Sequence, residues 1–253
     1  MIEVQGVSKR FGANQVLNDI SAVFRKGTVN MVIGKSGSGK SVLAKCIVGL
    51  HVPDEGRVLY DGRSFHELDK EQKRQVRQEI GMLFQSSALF DSLNVMENVM
   101  FPLKMFATMS ESEMRDRAEL CLKRVNIIDK DRLFPSELSG GMQKRVGIAR
   151  AIAMNPKYLF VDEPNSGLDP QTSIVIDDLI KDLTEEYGTT TIVITHDMNS
   201  VMETGENIVF IHQGRKWWQG DKDQLLESDN KELNDFIFAS GLMRQVRKAL
   251  KGH

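Results

Sequence analysis

Apolar and polar positions alternate over the first sixty residues and then change rhythm. Ile2 to Val7, Val16 to Phe24, Val29 to Ile33 and Arg57 to Tyr60 read as short strands, interrupted at Phe11, Gly12 and again at Lys26, Gly27. Helical spacing then takes over. Val42 to Leu50 forms one helix, a charged helix covers Glu67 to Arg77, and a strand follows at Ile80 to Phe84. From Val95 to about Val125 the pattern is mostly helical, with Pro102 as a break and Ser110 followed by Glu113 as a capping box. A further helix starts near Ser139. Strands return at Tyr158 to Val161, Thr190 to Thr195 and Ile208 to His212, alternating with helices at Thr172 to Glu186 and Asp197 to Glu203. Strands alternating with helices imply an α/β fold built on a largely parallel sheet. No repeat, low-complexity tract or flexible linker divides the chain.

Directly after the apolar run Met31, Val32, Ile33 stands Gly34, Lys35, Ser36, Gly37, Ser38, Gly39, Lys40, Ser41, which fits GxxxxGK[ST]. Strand, glycine-rich turn and helix start aim backbone N–H groups at one point, where the positive end of the helix dipole favours an anion. Lys40 supplies a point charge for the β- and γ-phosphates, and the Ser41 hydroxyl a ligand for Mg²⁺. The chain is therefore expected to bind a nucleoside triphosphate.

A second chemical element is the apolar strand Tyr158, Leu159, Phe160, Val161 ending in Asp162 and Glu163. A buried parallel strand carries Asp162 to the carboxyl end of the sheet, where it can hold Mg²⁺. Glu163, one residue further out, can polarise an attacking water. Pro164 stops the strand, and Gly167, Leu168, Asp169, Pro170 form a tight turn before the next helix. The third element is Leu138, Ser139, Gly140, Gly141, Met142, Gln143, Lys144, Arg145. Ser139 caps a helix whose first amides are opened to close approach by two glycines. The residues alone leave two readings: an ordinary capped helix or a second anion cradle.

The chain has 253 residues, enough for one large α/β domain or a domain with an inserted subdomain. A net charge of −2 provides no global basic field for nucleic acid. Lys70, Lys73, Arg74 and Arg77 are interleaved with Glu67, Asp69, Glu71 and Glu79, the mixture of a solvated helix face. Cys46 and Cys121 lie far apart without metal-ligand spacing, which favours a reducing compartment. No segment approaches ~18 consecutive apolar residues, and Glu3 and Lys9 flank a short strand pattern where a signal peptide would be apolar.

Together these motifs resemble the ATP-binding subunit of an ATP-binding cassette (ABC) transporter, from about Ile2 to Gly220. Phe11 matches the aromatic that stacks on adenine, Gly34 to Ser41 Walker A, Gln85 the Q-loop and Leu138 to Met142 the signature. Phe160 to Asp162 match the end of Walker B, Glu163 the catalytic glutamate, Ser166 to Asp169 the D-loop and His196 the switch histidine. The resemblance implies a P-loop NTPase fold with a mainly parallel core sheet, an antiparallel β subdomain and a helical subdomain inserted near 86–155. The cassette would span 1–220, with a C-terminal helical extension over 221–253. It also implies ATP and Mg²⁺ as cofactors. Ser41, Gln85 and Asp162 would hold the metal, and Lys40, Gln85, Glu163 and His196 would serve hydrolysis. Ser139, Gly140 and Gly141 would close over the triphosphate of a second copy bound head to tail. Met142 departs from the glutamine more usual in the signature but leaves the anion-binding residues intact.

The run from Gly81 to Val95, with Glu97, Asn98, Val99 and Phe101, Pro102, Leu103 after it, resembles the Mla-type ATPase of lipid-asymmetry systems, as does the LSGGM form of the signature. The implied partners are transmembrane permease subunits, together with a substrate-binding and a small accessory subunit and no nucleic acid. The implied location is peripheral, on the cytoplasmic face of an inner membrane. Other readings are an ABC ATPase for another cargo, such as an amino acid or a lipoprotein, and a non-transport ABC protein acting on ribosomes or DNA. Beyond Gly220, Phe236, Phe238, Leu242, Val246 and Leu250 keep near-helical spacing among Arg244, Arg247, Lys248 and Lys251. Such a basic amphipathic helix can meet a membrane, a partner or its own domain. The adjacent Trp217 and Trp218 would point to opposite faces of a strand and read as structural.

Overall fold

The alternating start of the chain folds into an antiparallel sheet. A computed structural model describes residues 1–239; the basic helix expected around Leu242 to Lys251 lies outside the described residues. The chain divides into two compact units, the first made of Met1–Arg25, Asn30–His66 and the chain from Ile194 onward, the second of Lys26–Val29 and Glu67–Val193.

In the first unit, β1 (Ile2–Phe11) and β2 (Asn14–Phe24) form a long hairpin, Ile2 opposite Phe24. β3 (Val29–Ile33) is buried at every position. It leads to α1 (Lys40–Ile47), and the antiparallel sheet is completed by β4 (Glu55–Tyr60) and the two-residue β5 (Arg63–Ser64). The spacing predicts α1 as far as Leu50, but it stops at Ile47. Gly49 is in a left-handed conformation at φ +76°, and a Cβ there would lie 2.2 Å from the Phe65 ring, so the chain turns where glycine alone fits.

The second unit begins with α2 (Lys70–Gln78), capped by Asp69, and β6 (Ile80–Leu83). α3 (Val95–Phe106), α4 (Glu111–Arg124) and α5 (Gly140–Ile152) follow, then β7 (Tyr158–Asp162), parallel to β6 with Ile80 opposite Tyr158. The expected break at Pro102 does not occur. α3 runs through the proline to Phe106, and the chain leaves the helix at Ala107. An internal proline costs about 3 kcal/mol. Leu103, buried one residue beyond it with Val95, Met96, Val99 and Met100, keeps the apolar face continuous and offsets that cost. The capping box at Ser110 and Glu113 forms as expected and starts α4.

α6 (Pro170–Tyr187) and β8 (Thr190–Thr195) come next, and the chain returns to the first unit with α7 (Met198–Thr204) and β9 (Asn207–His212), which runs parallel to β3. β10 (Arg215–Gly220) pairs antiparallel with β9 through a register shift between Lys216 and Trp218. Trp217 falls in that irregularity and sets its ring edge-on to His212 at 5.2 Å, a structural contact. Two short helices, α8 (Lys222–Glu227) and α9 (Lys231–Ile237), close the described chain. The fold is thus α/β, with mostly parallel pairing beside a separate antiparallel sheet. Among the described residues, no helix is long and apolar enough to cross a membrane.

Candidate functional site

In the first unit the chain leaves β3 at Gly34, and a Cβ built on this residue would lie 2.2 Å from the carbonyl oxygen of Ile211 in β9. Gly39, at φ +105°, comes within contact of Leu17 and Val16 in the same way. These two glycines seat the loop against its neighbours. The Lys40 ammonium then crosses it, donating to the carbonyl oxygens of Gly34 at 2.8 Å and Lys35 at 3.1 Å. Gly214 N–H donates to the Ser38 carbonyl from outside, pinning the turn.

The start of α1 tests whether this loop fits a phosphate. Among the described residues, α2 to α9 each begin with a side chain that accepts a hydrogen bond from the first turn: Asp69, Asn94, Ser110, Ser139, Asp169, Asp197, Asp221 and Asn230. α1 begins with Gly39, has no side-chain cap and carries no acidic residue in its first turn. A helix start of this kind suits an anionic ligand such as a phosphate. Ser41 sits exposed on that first turn.

Phe11 ends β1 as a 45% exposed residue, its ring edge-on to His51 at 5.3 Å and 5.6 Å from the Lys9 ammonium. One face of an electron-rich ring held by its edge suits a planar base. His196 follows β8 and is exposed. The turn that carries it is held locally, since Thr195 Oγ1 accepts from Asp197 N–H at 3.0 Å and Asp197 caps α7.

In the second unit, β7 delivers Asp162 and Glu163 at its carboxyl end, both half-buried. Glu163 adopts a left-handed backbone at φ +47°, a conformation that costs a side-chain-bearing residue on the order of 1 kcal/mol. Lys144 of α5, 4% exposed, donates to the Glu163 carbonyl at 3.1 Å and to the carbonyl of Gln85. Burial pulls this ammonium below the usual lysine range, and the carboxylates of Asp162 and Glu163 oppose that shift. Beyond Gln85, Ser87 and Ala88 are also left-handed, and the Arg150 guanidinium donates to both of their carbonyls at 2.7 Å. Residue types gave no warning of Lys144 or Arg150. The one available signal was a lysine on the face 141, 144, 148, 151, whose other residues are glycine, isoleucine and alanine.

Ser139 caps α5 by accepting from Met142 N–H at 3.3 Å. The two glycines after it differ. A Cβ on Gly141 would press on Thr172 Cγ2 at 2.6 Å, so that glycine is required by packing against α6, whereas a Cβ on the exposed Gly140 would meet only Leu168 at an ordinary 3.5 Å. Packing within the chain thus explains Gly141 but not Gly140.

Phe84, Phe90, Phe101 and Phe106 line a groove of about 410 Å³ together with Arg77 and Arg150. Phe90 and Phe101 touch at 4.5 Å between ring centroids. Asn98, from the same stretch, is fully buried and not a surface contact. Its amide donates to the carbonyls of Phe90, Leu93 and Asn94 and accepts from Phe90 N–H, holding the groove wall to α3. Asn98→Ala should cost about 2–4 kcal/mol in urea denaturation. A loss below ~0.5 kcal/mol would show that the amide does not hold this wall.

The family model described as ABC transporter matches residues 17–166. The chain is 35% identical to the probable ribonucleotide transport ATP-binding protein mkl of Mycobacterium leprae, over 93% of this chain and 68% of that protein. It is 37% identical to the methionine import ATP-binding protein MetN of Desulfitobacterium hafniense, over 100% of this chain and 76% of that one. Among solved structures, the dimeric post-hydrolysis state of the ATP-binding cassette MJ0796 bound to ADP and Pi superposes with a TM-score of 0.79 at 35% identity, covering 87% of this chain and 98% of that one. The uncapped α1 and the exposed Phe11 thus occur in a chain whose likeness to such cassettes runs nearly end to end. This chain belongs to the ABC transporter family, as an ATP-hydrolysing cassette whose use of ATP and Mg²⁺ energises transport.

Proposed function

We propose that this ATPase powers the movement of phospholipids between the inner and outer membranes of a double-membraned cell. It works as a homodimer on the cytoplasmic face of the inner membrane, beneath transmembrane permease subunits, with a substrate-binding and a small accessory subunit completing the assembly. The cargo reading is carried by one observation, the likeness of Gly81 to Leu103 and of the LSGGM signature to the Mla-type ATPase. The aromatic groove of Phe84, Phe90, Phe101 and Phe106 supports a permease helix as partner, because it offers apolar contact beside two arginines. Amino-acid import is the second reading, favoured by the relative named for methionine import. Co-purification of the chain with its membrane partner, followed by lipid analysis and ATPase assays with phospholipid or methionine, separates the two. Bound phospholipid and lipid-stimulated turnover support the first reading, and methionine-stimulated turnover with no enrichment of lipid overturns it.

In the proposed mechanism Phe11 stacks on adenine while the amides of Gly37 to Ser41 and the Lys40 ammonium hold the phosphates. Ser41, Gln85 and Asp162 would hold Mg²⁺, and the ion when bound would supply neutralisation of phosphate charge. Glu163 takes a proton from the attacking water as its oxygen bonds to the γ-phosphorus and the bond to the β–γ bridging oxygen breaks, leaving ADP and phosphate. His196 senses the γ-phosphate. Ser139, Gly140 and Gly141 of the other copy close over the triphosphate, so bound ATP favours the closed dimer and its hydrolysis releases it.

Lys40→Ala should weaken ATP binding by about 10- to 100-fold, the loss of roughly 1.5–3 kcal/mol of charge-assisted hydrogen bonding. Titration with a fluorescent ATP analogue measures it. Parent affinity in a folded variant would remove Lys40 from the phosphate site.

A further inference from the structure

The signature helix carries a buried cation that the mechanism above does not use. Lys144 is 4% exposed, and its two hydrogen bonds go to main-chain carbonyls, those of Gln85 and Glu163. Burying an ammonium is costly unless it is well satisfied, and a methionine would fill the same space without that cost. A cation here therefore needs a reason beyond packing. Both carbonyls belong to residues assigned to hydrolysis, and one of those residues, Glu163, holds a left-handed backbone at φ +47° that a side chain disfavours.

The local packing makes the reach possible. Gly147, one turn along α5, lets the helix approach β6 and the loop after it, since a Cβ there would lie 2.6 Å from Leu83 Cδ1. Resting on the assignment of Glu163 as the hydrolytic carboxylate, we infer that Lys144 is a positioning residue for hydrolysis, holding the backbones of Glu163 and Gln85 from the helix that Ser139 begins. Lys144 fixes where the Glu163 carboxylate starts, so it acts on turnover and not on nucleotide affinity. Because Ser139 and Lys144 ride on one rigid helix, a shift of the signature reaches both catalytic loops through this ammonium.

The test compares Lys144→Met, Lys144→Arg and Glu163→Gln in the full chain, reading kcat, the Kd of a fluorescent ATP analogue and the melting temperature. Lys144→Met should lower kcat at least ~10-fold with Kd unchanged within about threefold, and Lys144→Arg, which keeps a cation, should fall between it and the parent. If Lys144→Met does not fold, Lys144→Arg carries the test: reduced kcat at parent Kd supports the role, and parent kcat overturns it. Parent kcat in folded Lys144→Met, or a fall in kcat matched by an equal loss of affinity, overturns the positioning role while Glu163→Gln remains inactive. Parent turnover by Glu163→Gln would instead remove the assignment on which the inference rests.

Discussion

Glu163→Gln is expected to bind ATP as the parent does and to hydrolyse it about 10²- to 10⁴-fold more slowly. The amide keeps the size and most of the hydrogen-bonding shape of the carboxylate, so the left-handed turn at 163 and its bond from Lys144 should persist. What is lost, in the proposed mechanism, is the group that accepts the proton of the attacking water. Single-turnover assays with labelled ATP separate this loss from slow product release. Hydrolysis at the parent rate would mean that another residue orients the water.

Ser139→Arg is expected to abolish hydrolysis, to below about one hundredth of the parent rate, while ATP still binds at Gly34 to Ser41. The substitution removes the cap bond to Met142 N–H, which by itself costs about 1 kcal/mol of helix stability. It also places a long cation beside the exposed Gly140. If Ser139 only caps α5, the protein should lose a little stability and keep its turnover. If the signature completes a neighbour's site, binding and catalysis come apart. A mixture of Ser139→Arg and Lys40→Ala chains should then regain some hydrolysis, because a head-to-tail pair collects both lesions in one composite site and leaves the other intact.

The strand, glycine turn and helix start around Gly34 to Ser41 were legible in the sequence because their physics is local. Glycines, lysine and serine stand within eight consecutive residues between a buried strand and a helix, and no distant residue is needed to recognise them. Strands with a buried run, such as Thr190–Thr195, were legible for the same reason. β10 was not, since Arg215, Lys216 and Gln219 break any apolar alternation and the register shift at Trp217 removes the period itself. Pro102 misled because the local cost of a proline says nothing of the burial of Leu103 beyond it. Lys144 and Arg150 were hidden more deeply. Their partners are carbonyl oxygens, which every residue carries, and the carbonyl of Gln85 lies 59 positions away from Lys144 in the chain. Asn98 stood in a segment whose neighbours Phe84 and Phe90 are exposed, and only the fold shows that its amide turns inward.

In the proposed dimer two copies of this chain share their ATP sites. Sedimentation of Glu163→Gln with and without ATP and Mg²⁺ tests it most directly, with the Ser139→Arg, Glu163→Gln double variant run beside it. Saturating ATP should double the mass of the single variant and leave the double variant at the mass of one chain, although both bind nucleotide. ATP-bound Glu163→Gln that stays monomeric, or a double variant that dimerises as readily, would contradict it.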